Sequence, residues 1–130
     1  MRWVIKLDYD VAKSKAKWYL RKHLFERINF VFKKFGLKYE YGAVFKTPHG
    51  LHVYMVVHGD IDELDLAFIQ AVLGDDYKRA VYNYLRVKNK REGYKWNVLF
   101  SNREKFDPRR TRTLNRAVSY THLRAHETRH

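Results

Sequence analysis

The chain has 130 residues, with 27 Lys and Arg against 14 Asp and Glu, a formal net charge of +13 and no cysteine. The missing thiols exclude a disulfide framework and a thiolate zinc site, and no run approaches the roughly 18 apolar residues of a membrane span. The expectation is a soluble, cytoplasmic protein whose charge asks for a polyanionic partner, nucleic acid ahead of a membrane surface.

The opening stretch MRWVIKLDYD alternates. Trp3, Ile5 and Leu7 point one way and Val4, Lys6 and Asp8 the other, the period of a half-buried strand. From Val11 to Phe35 the spacing becomes helical: Ala16, Leu20, Leu24, Ile28, Val31 and Phe35 on one face, Lys13, Lys17 and Arg21 on another, with Gly36 as C-cap. KYEYGAVFK and LHVYMVV are strand-forming runs joined by TPHG, which predicts an antiparallel hairpin. Asp60 or Asp62 caps a helix carrying Leu64, Phe68, Ile69 and Val72, ended by Gly74. A further helix runs from Asp76 to about Lys88, with Tyr77, Val81, Tyr84 and Leu85 as its apolar side. Asp75 or Asp76 caps it and Arg79 pairs along it. WNVLFS closes the domain as a last strand, and NREKFDPRRTRTLNRA, lacking apolar periodicity, reads as a flexible basic arm.

The final stretch, VSYTHLRAHETRH, resembles the translation of a transposase-delivered sequencing adapter, matched without a break from Val118 to Thr128. That resemblance implies a non-native tail over 118–130, removes His122, His126 and His130 as metal ligands, and leaves the native C-terminus open. The expected organisation is therefore one domain over 1–101, a basic arm over 102–117 and the tail.

The order β-α-β-β-α-β predicts an α+β, ferredoxin-like (RRM-like) domain: a four-stranded antiparallel sheet with two helices on one face. In that fold strands one and three are central neighbours. Strand one then buries Trp3, Ile5 and Leu7, and strand three Leu51, Val53, Met55 and Val57. Lys6, Asp8, His52 and Tyr54 are left on the open face, with Asp8 and His52 close together.

IKLDYD, a helix, and then TPHGLHVYM look like the first two motifs of the archaeo-eukaryotic primase and primase-polymerase superfamily. The resemblance implies a nucleotidyltransferase in which Asp8 and Asp10 hold Mg²⁺ or Mn²⁺ and His52 contacts nucleotide phosphates, hard oxygen ligands suiting such ions. For the family's third carboxylate the later candidates are Asp75, Asp76 and Asp107. Against these roles stand plainer ones: Asp10 as a helix cap, Asp8 as a strand end, His52 as a hydrogen-bonded structural histidine. HGLHVYM, LGDDYKR…YLR and WNVLF are in turn similar to small proteins of archaeal viruses and plasmids, which implies a mobile-element setting.

Cations interleaved with aromatics carry the leading functional expectation, a nucleic-acid-binding protein of a mobile element acting on single strands or junctions, DNA ahead of RNA. Arg86, Lys88, Lys90, Arg91 and Lys95 surround Tyr94 and Trp96; Arg79, Tyr82 and Arg86 form a helical stripe; Lys6 and Tyr54 serve the sheet; Arg109 and Arg110 lie on the arm. Cations neutralise phosphates while aromatic faces stack on bases. The alternatives are the reduced primase-polymerase and an HUH-type replication initiator with Tyr82 or Tyr84 as nucleophile. The latter needs two histidines one residue apart, and His49 and His52 have two residues between them.

Overall fold

The computed structural model describes residues 1–90, 95–99 and 103–127, with side chains described as far as 118. The elements are β1 (Arg2–Asp10), α1 (Ala16–Leu20), α2 (Ile28–Phe35), β2 (Lys38–Thr47), β3 (Gly50–His58), α3 (Glu63–Val72), α4 (Tyr77–Lys88), β4 (Lys105–Phe106) and α5 (Pro108–Glu127). They form an α+β fold around one four-stranded antiparallel sheet of order β1-β3-β2-β4.

The first helical stretch is not continuous. A 3₁₀ turn at Lys13–Lys15 leads into α1, a widened π turn follows at Arg21–Phe25, and the chain bends at Arg27 before α2. The sequence suggests why. A strict four-residue apolar spacing advances about 40° per step around a helix of 3.6 residues per turn, and one widened turn takes that drift back. Ala16, Leu20, Leu24 and Ile28 thereby all reach the core, against Ile5, Leu7, Val53 and Met55. Gly36 ends α2 in the left-handed conformation at φ 64°, as expected of a C-cap glycine. Asp62 caps α3 through a capping box with Asp65, and Asp76 caps α4 by accepting from the Arg79 amide.

Three expectations about the architecture are corrected. First, β1 pairs with β3 as foreseen but lies at the sheet edge, not in the middle. Residues 96–99 of the expected last strand are irregular, while Phe100 and Ser101 lie outside the described residues. The fourth strand is the two-residue β4, and it pairs with β2. Second, the segment expected to be a flexible arm turns into α5 from Pro108 onward. Leu114 and Val118 are buried in the core, Thr111 Oγ1 accepts from the Val44 amide at 2.9 Å, and the Asp107 amide donates to the Val44 carbonyl at 2.8 Å. Val118, where the adapter-like stretch begins, is thus part of this packing. Third, α4 turns Asn83 and Val87 inward. Its expected apolar side, Tyr77, Val81, Tyr84 and Leu85, is exposed, as are Leu64 and Phe68 of α3.

The first correction has a physical basis in hydrogen bonding. A sheet edge presents a row of unpaired N–H and C=O groups, and proteins cover such rows. On β1 the cover is made of side chains and one loop amide. Lys6 N donates to Gln70 Oε1 (2.9 Å) and Asp8 N to Asp75 Oδ1 (2.7 Å). Asp76 N donates to the Asp8 carbonyl (2.8 Å), Arg79 Nη1 to the Lys6 carbonyl (2.9 Å) and Asn97 Nδ2 to the Val4 carbonyl (3.3 Å). Five outward groups in a row are satisfied without a strand. Asn97 takes a positive φ of 59° to reach its place, a conformation asparagine tolerates better than most residues.

Candidate nucleic-acid interface

Residues paired directly across strands share a face of the sheet. The pairs Leu7↔Val53↔Val44 and Ile5↔Met55 lie on the face packed against the helices. On the opposite face one row crosses all four strands: Asp8↔His52↔Phe45↔Phe106. The adjoining rows are Lys6↔Tyr54↔Ala43 and Val4↔Val56↔Tyr41.

That face carries an aromatic cluster. The Phe45 ring lies 5.5 Å from Tyr54 and 5.6 Å from Phe106, both edge-on, and Tyr54 lies 6.5 Å from His52. Edge-to-face contacts at such separations are favourable ones. Phe106 is 53% exposed and Tyr41 equally so, while Phe45 and Tyr54 are half-buried.

His52 is where the alternation put it, beside Asp8, yet it is 2% exposed. Its Nδ1 lies 2.5 Å from Glu104 Oε1 and its Nε2 3.5 Å from Asp8 Oδ1. Tyr54 donates its hydroxyl to the same Glu104 oxygen at 3.4 Å. Burial pulls the imidazole pKa down, but hydrogen bonds and charges from Asp8 and Glu104 outweigh it and leave the net value raised. Burial, aided by Glu104, pushes the Tyr54 phenol up to about 12, so the hydroxyl remains a donor. The histidine is the bridge of an Asp8–His52–Glu104 chain, the plainer of the two roles expected of it.

This arrangement does not fit a two-metal nucleotidyl-transfer site. Both ring nitrogens of His52 face carboxylates, so neither is presented to a phosphate. Among the described residues no three His, Asp or Glu side chains group as metal ligands. Asp10 is exposed at the strand end and, with Lys13, Lys46, His49 and Arg110, lines a cavity of about 480 Å³ beside the β2–β3 turn.

No protein-family model matches the chain, and no solved structure matches it. It is similar to a virus protein. That relative is "Uncharacterized protein 30" of Sulfolobus islandicus filamentous virus (isolate Iceland/Hveragerdi), 32% identical over 103 residues, covering 75% of this chain and 37% of the relative. The chain therefore spans little more than a third of the relative's length. The similarity agrees with the archaeal-virus setting implied by the motifs, and it carries no activity with it.

The remaining candidate residues separate into groups. Lys6 and Tyr54 share the aromatic face. Tyr82, Arg86 and Lys88 are exposed on α4, where Arg86 lies over the Tyr82 ring at 5.9 Å and Lys88 over Tyr84 at 5.6 Å. Lys90 is exposed and paired with Glu63 at 3.4 Å; Lys95 is exposed. Arg91 and Tyr94 lie outside the described residues. Arg109 is exposed, whereas Arg110 is bound to Asp107 at 2.5 Å.

Arg79 departs from the phosphate stripe expected of it. Its side chain is 10% exposed and bonds Asp75 Oδ2 (2.5 Å), the Lys6 carbonyl (2.9 Å), Asn97 Oδ1 (2.6 Å) and the Val98 carbonyl (3.3 Å). It holds the β1 edge, consistent with pairing along the helix to Asp75.

Sequence reasoning missed three residues of the site: Glu104, Phe45 and Phe106. A faint signal existed. In REKF, Glu104 and Phe106 stand at strand spacing, but a two-residue strand gives alternation no length in which to show.

Proposed function

We propose that the chain binds single-stranded nucleic acid, DNA ahead of RNA, on the sheet face that carries Phe45, Tyr54 and Phe106. The supporting observation is that row of touching rings on the face opposite the helices, in a chain of net charge +13. Aromatic faces accept unpaired bases at about 1–3 kcal/mol per stack, and surrounding cations neutralise phosphates. Lys6 is the cation within the face, and Arg86, Lys88 and Lys95 are further exposed cations. The viral relative supports a virus setting and brings no activity to the reading.

The test is fluorescence anisotropy with a labelled ten-base DNA, its duplex and the matching RNA across a salt series. A single-strand contact gives a log–log salt slope of about −0.7 per phosphate neutralised. Phe106→Ala, at an exposed position, is expected to weaken single-strand binding by about 1–3 kcal/mol with little loss of fold. A flat salt response, or full affinity in Phe106→Ala and Tyr54→Ala, would reject the reading.

A further inference from the structure

The sheet face carries a feature that stacking and phosphate neutralisation leave unused. A carboxylate among the rings repels phosphate, so it serves no backbone contact. Glu104 is nevertheless held there firmly. Its Oε1 is 2.5 Å from His52 Nδ1 and accepts the Tyr54 hydroxyl at 3.4 Å, and its side chain is 26% exposed. His52 is itself buried and braced on its other side by Asp8 at 3.5 Å.

An ionised carboxylate has about four acceptor positions. His52 and Tyr54 take both acceptor positions of Oε1, and among the described residues the two positions of Oε2 are left for a visitor. A base stacked on Tyr54 meets the carboxylate, because the Tyr54 hydroxyl donates to it. Bases differ in what they bring. The Watson–Crick edge of guanine offers two neighbouring donors, N1–H and N2–H, which can converge on the two acceptor positions of Oε2. Adenine and cytosine offer one amino donor beside an acceptor nitrogen, and thymine one N–H between two carbonyls. Facing a carboxylate, each of those places an acceptor against an acceptor, a mismatch that a site of fixed polarity penalises.

We infer that Glu104, oriented by His52 and Tyr54, is a specificity-determining residue that selects guanine at the base position over the Phe45–Tyr54–Phe106 cluster. The inference rests on the proposed single-strand reading. It adds a base preference which that reading alone does not require.

The experiment uses the full chain and labelled nine-base DNAs that are all thymine except for one central base: guanine, hypoxanthine, 7-deazaguanine, adenine, cytosine or thymine. Hypoxanthine lacks only the N2 amino group; 7-deazaguanine changes the Hoogsteen edge and keeps both donors. The guanine strand is expected to bind about fivefold or more tighter than the hypoxanthine strand, with 7-deazaguanine equal to guanine. Glu104→Gln is expected to level guanine and hypoxanthine. Equal binding of guanine and hypoxanthine by the unaltered chain overturns the guanine inference and leaves single-strand binding standing. No binding of any strand overturns both. The comparison on the unaltered chain decides the matter even where Glu104→Gln does not fold.

Discussion

Replacing Arg79 by alanine tests how the β1 edge is held. The change removes a guanidinium that bonds four acceptors and leaves the Asp75 carboxylate, with 0% side-chain exposure, without its cation. Breaking a buried ion pair from one side costs about 3–5 kcal/mol, and the Lys6 carbonyl on the strand edge loses its donor as well. The cost depends on pH in a defined direction. Burial, against the pull of Arg79 and of the Asp8 and Asp76 amides, raises the Asp75 carboxyl from 3.8 to about 6. The folded chain thus holds that proton more tightly than the unfolded chain, and stability falls as pH rises between those two values, by about 3 kcal/mol in all. Without Arg79 the folded value climbs further and the fall continues past neutrality. Urea unfolding followed by tryptophan fluorescence should therefore show Arg79→Ala less stable by about 4 kcal/mol at pH 8 and by clearly less at pH 5. Asp75→Asn added to Arg79→Ala should recover part of the pH 8 loss, because the amide has no charge to bury. A loss below about 1 kcal/mol at pH 8, the level of an exposed pair, or an equal loss at both pH values, would refute the buried-pair account.

His52 has a folded pKa raised above its ordinary 6.5, so the stability it contributes is present below 6.5 and is lost as pH rises through the folded value. The stability gap between the unaltered chain and His52→Asn should be wider at pH 6 than at pH 9 in urea melts; a gap that does not narrow would contradict the ion-pair chain. Gly50→Ala should cost about 2 kcal/mol or more by overpacking, since a Cβ there would lie 1.8 Å from the Tyr9 carbonyl oxygen of the paired strand. Gly36→Ala, with φ +64° and nothing within 4 Å, should cost only about 1–2 kcal/mol of backbone strain; the reverse order in thermal or urea unfolding would sink both explanations. Leu114→Ala should cost about 2–5 kcal/mol, because α5 delivers that side chain to the core; a loss under about 1 kcal/mol would mean that α5 packs only loosely.

Period-two alternation in MRWVIKLDYD and LHVYMVV was enough to assign β1 and β3 and to sort their side chains between two faces, while the expected β1–β3 pairing of the fold put Asp8 beside His52. Gly36 and the aspartate caps were equally local, since each answers to the unpaired ends of its own helix, and the structure chose Asp62 over Asp60 and Asp76 over Asp75. The stripe on α4 misled because alternation of polar and apolar residues says which side differs, not which side is covered. The buried side of α4 holds Asn83 because it answers to the backbone of Asn97 (2.9 Å), not to an oily core.

The sequence alone determined the features that depend on near neighbours, namely β1, β2, β3, α3, α4 and the helix caps, together with the net charge of +13. Tertiary structure decided which strand stands at the edge, because the polar groups that close β1 come from Gln70, Asp75, Arg79 and Asn97, far along the chain. It also decided that His52 is enclosed and that Phe45, Tyr54, Phe106 and Glu104 meet. Those contacts span up to 61 residues of chain, and only packing brings them within reach.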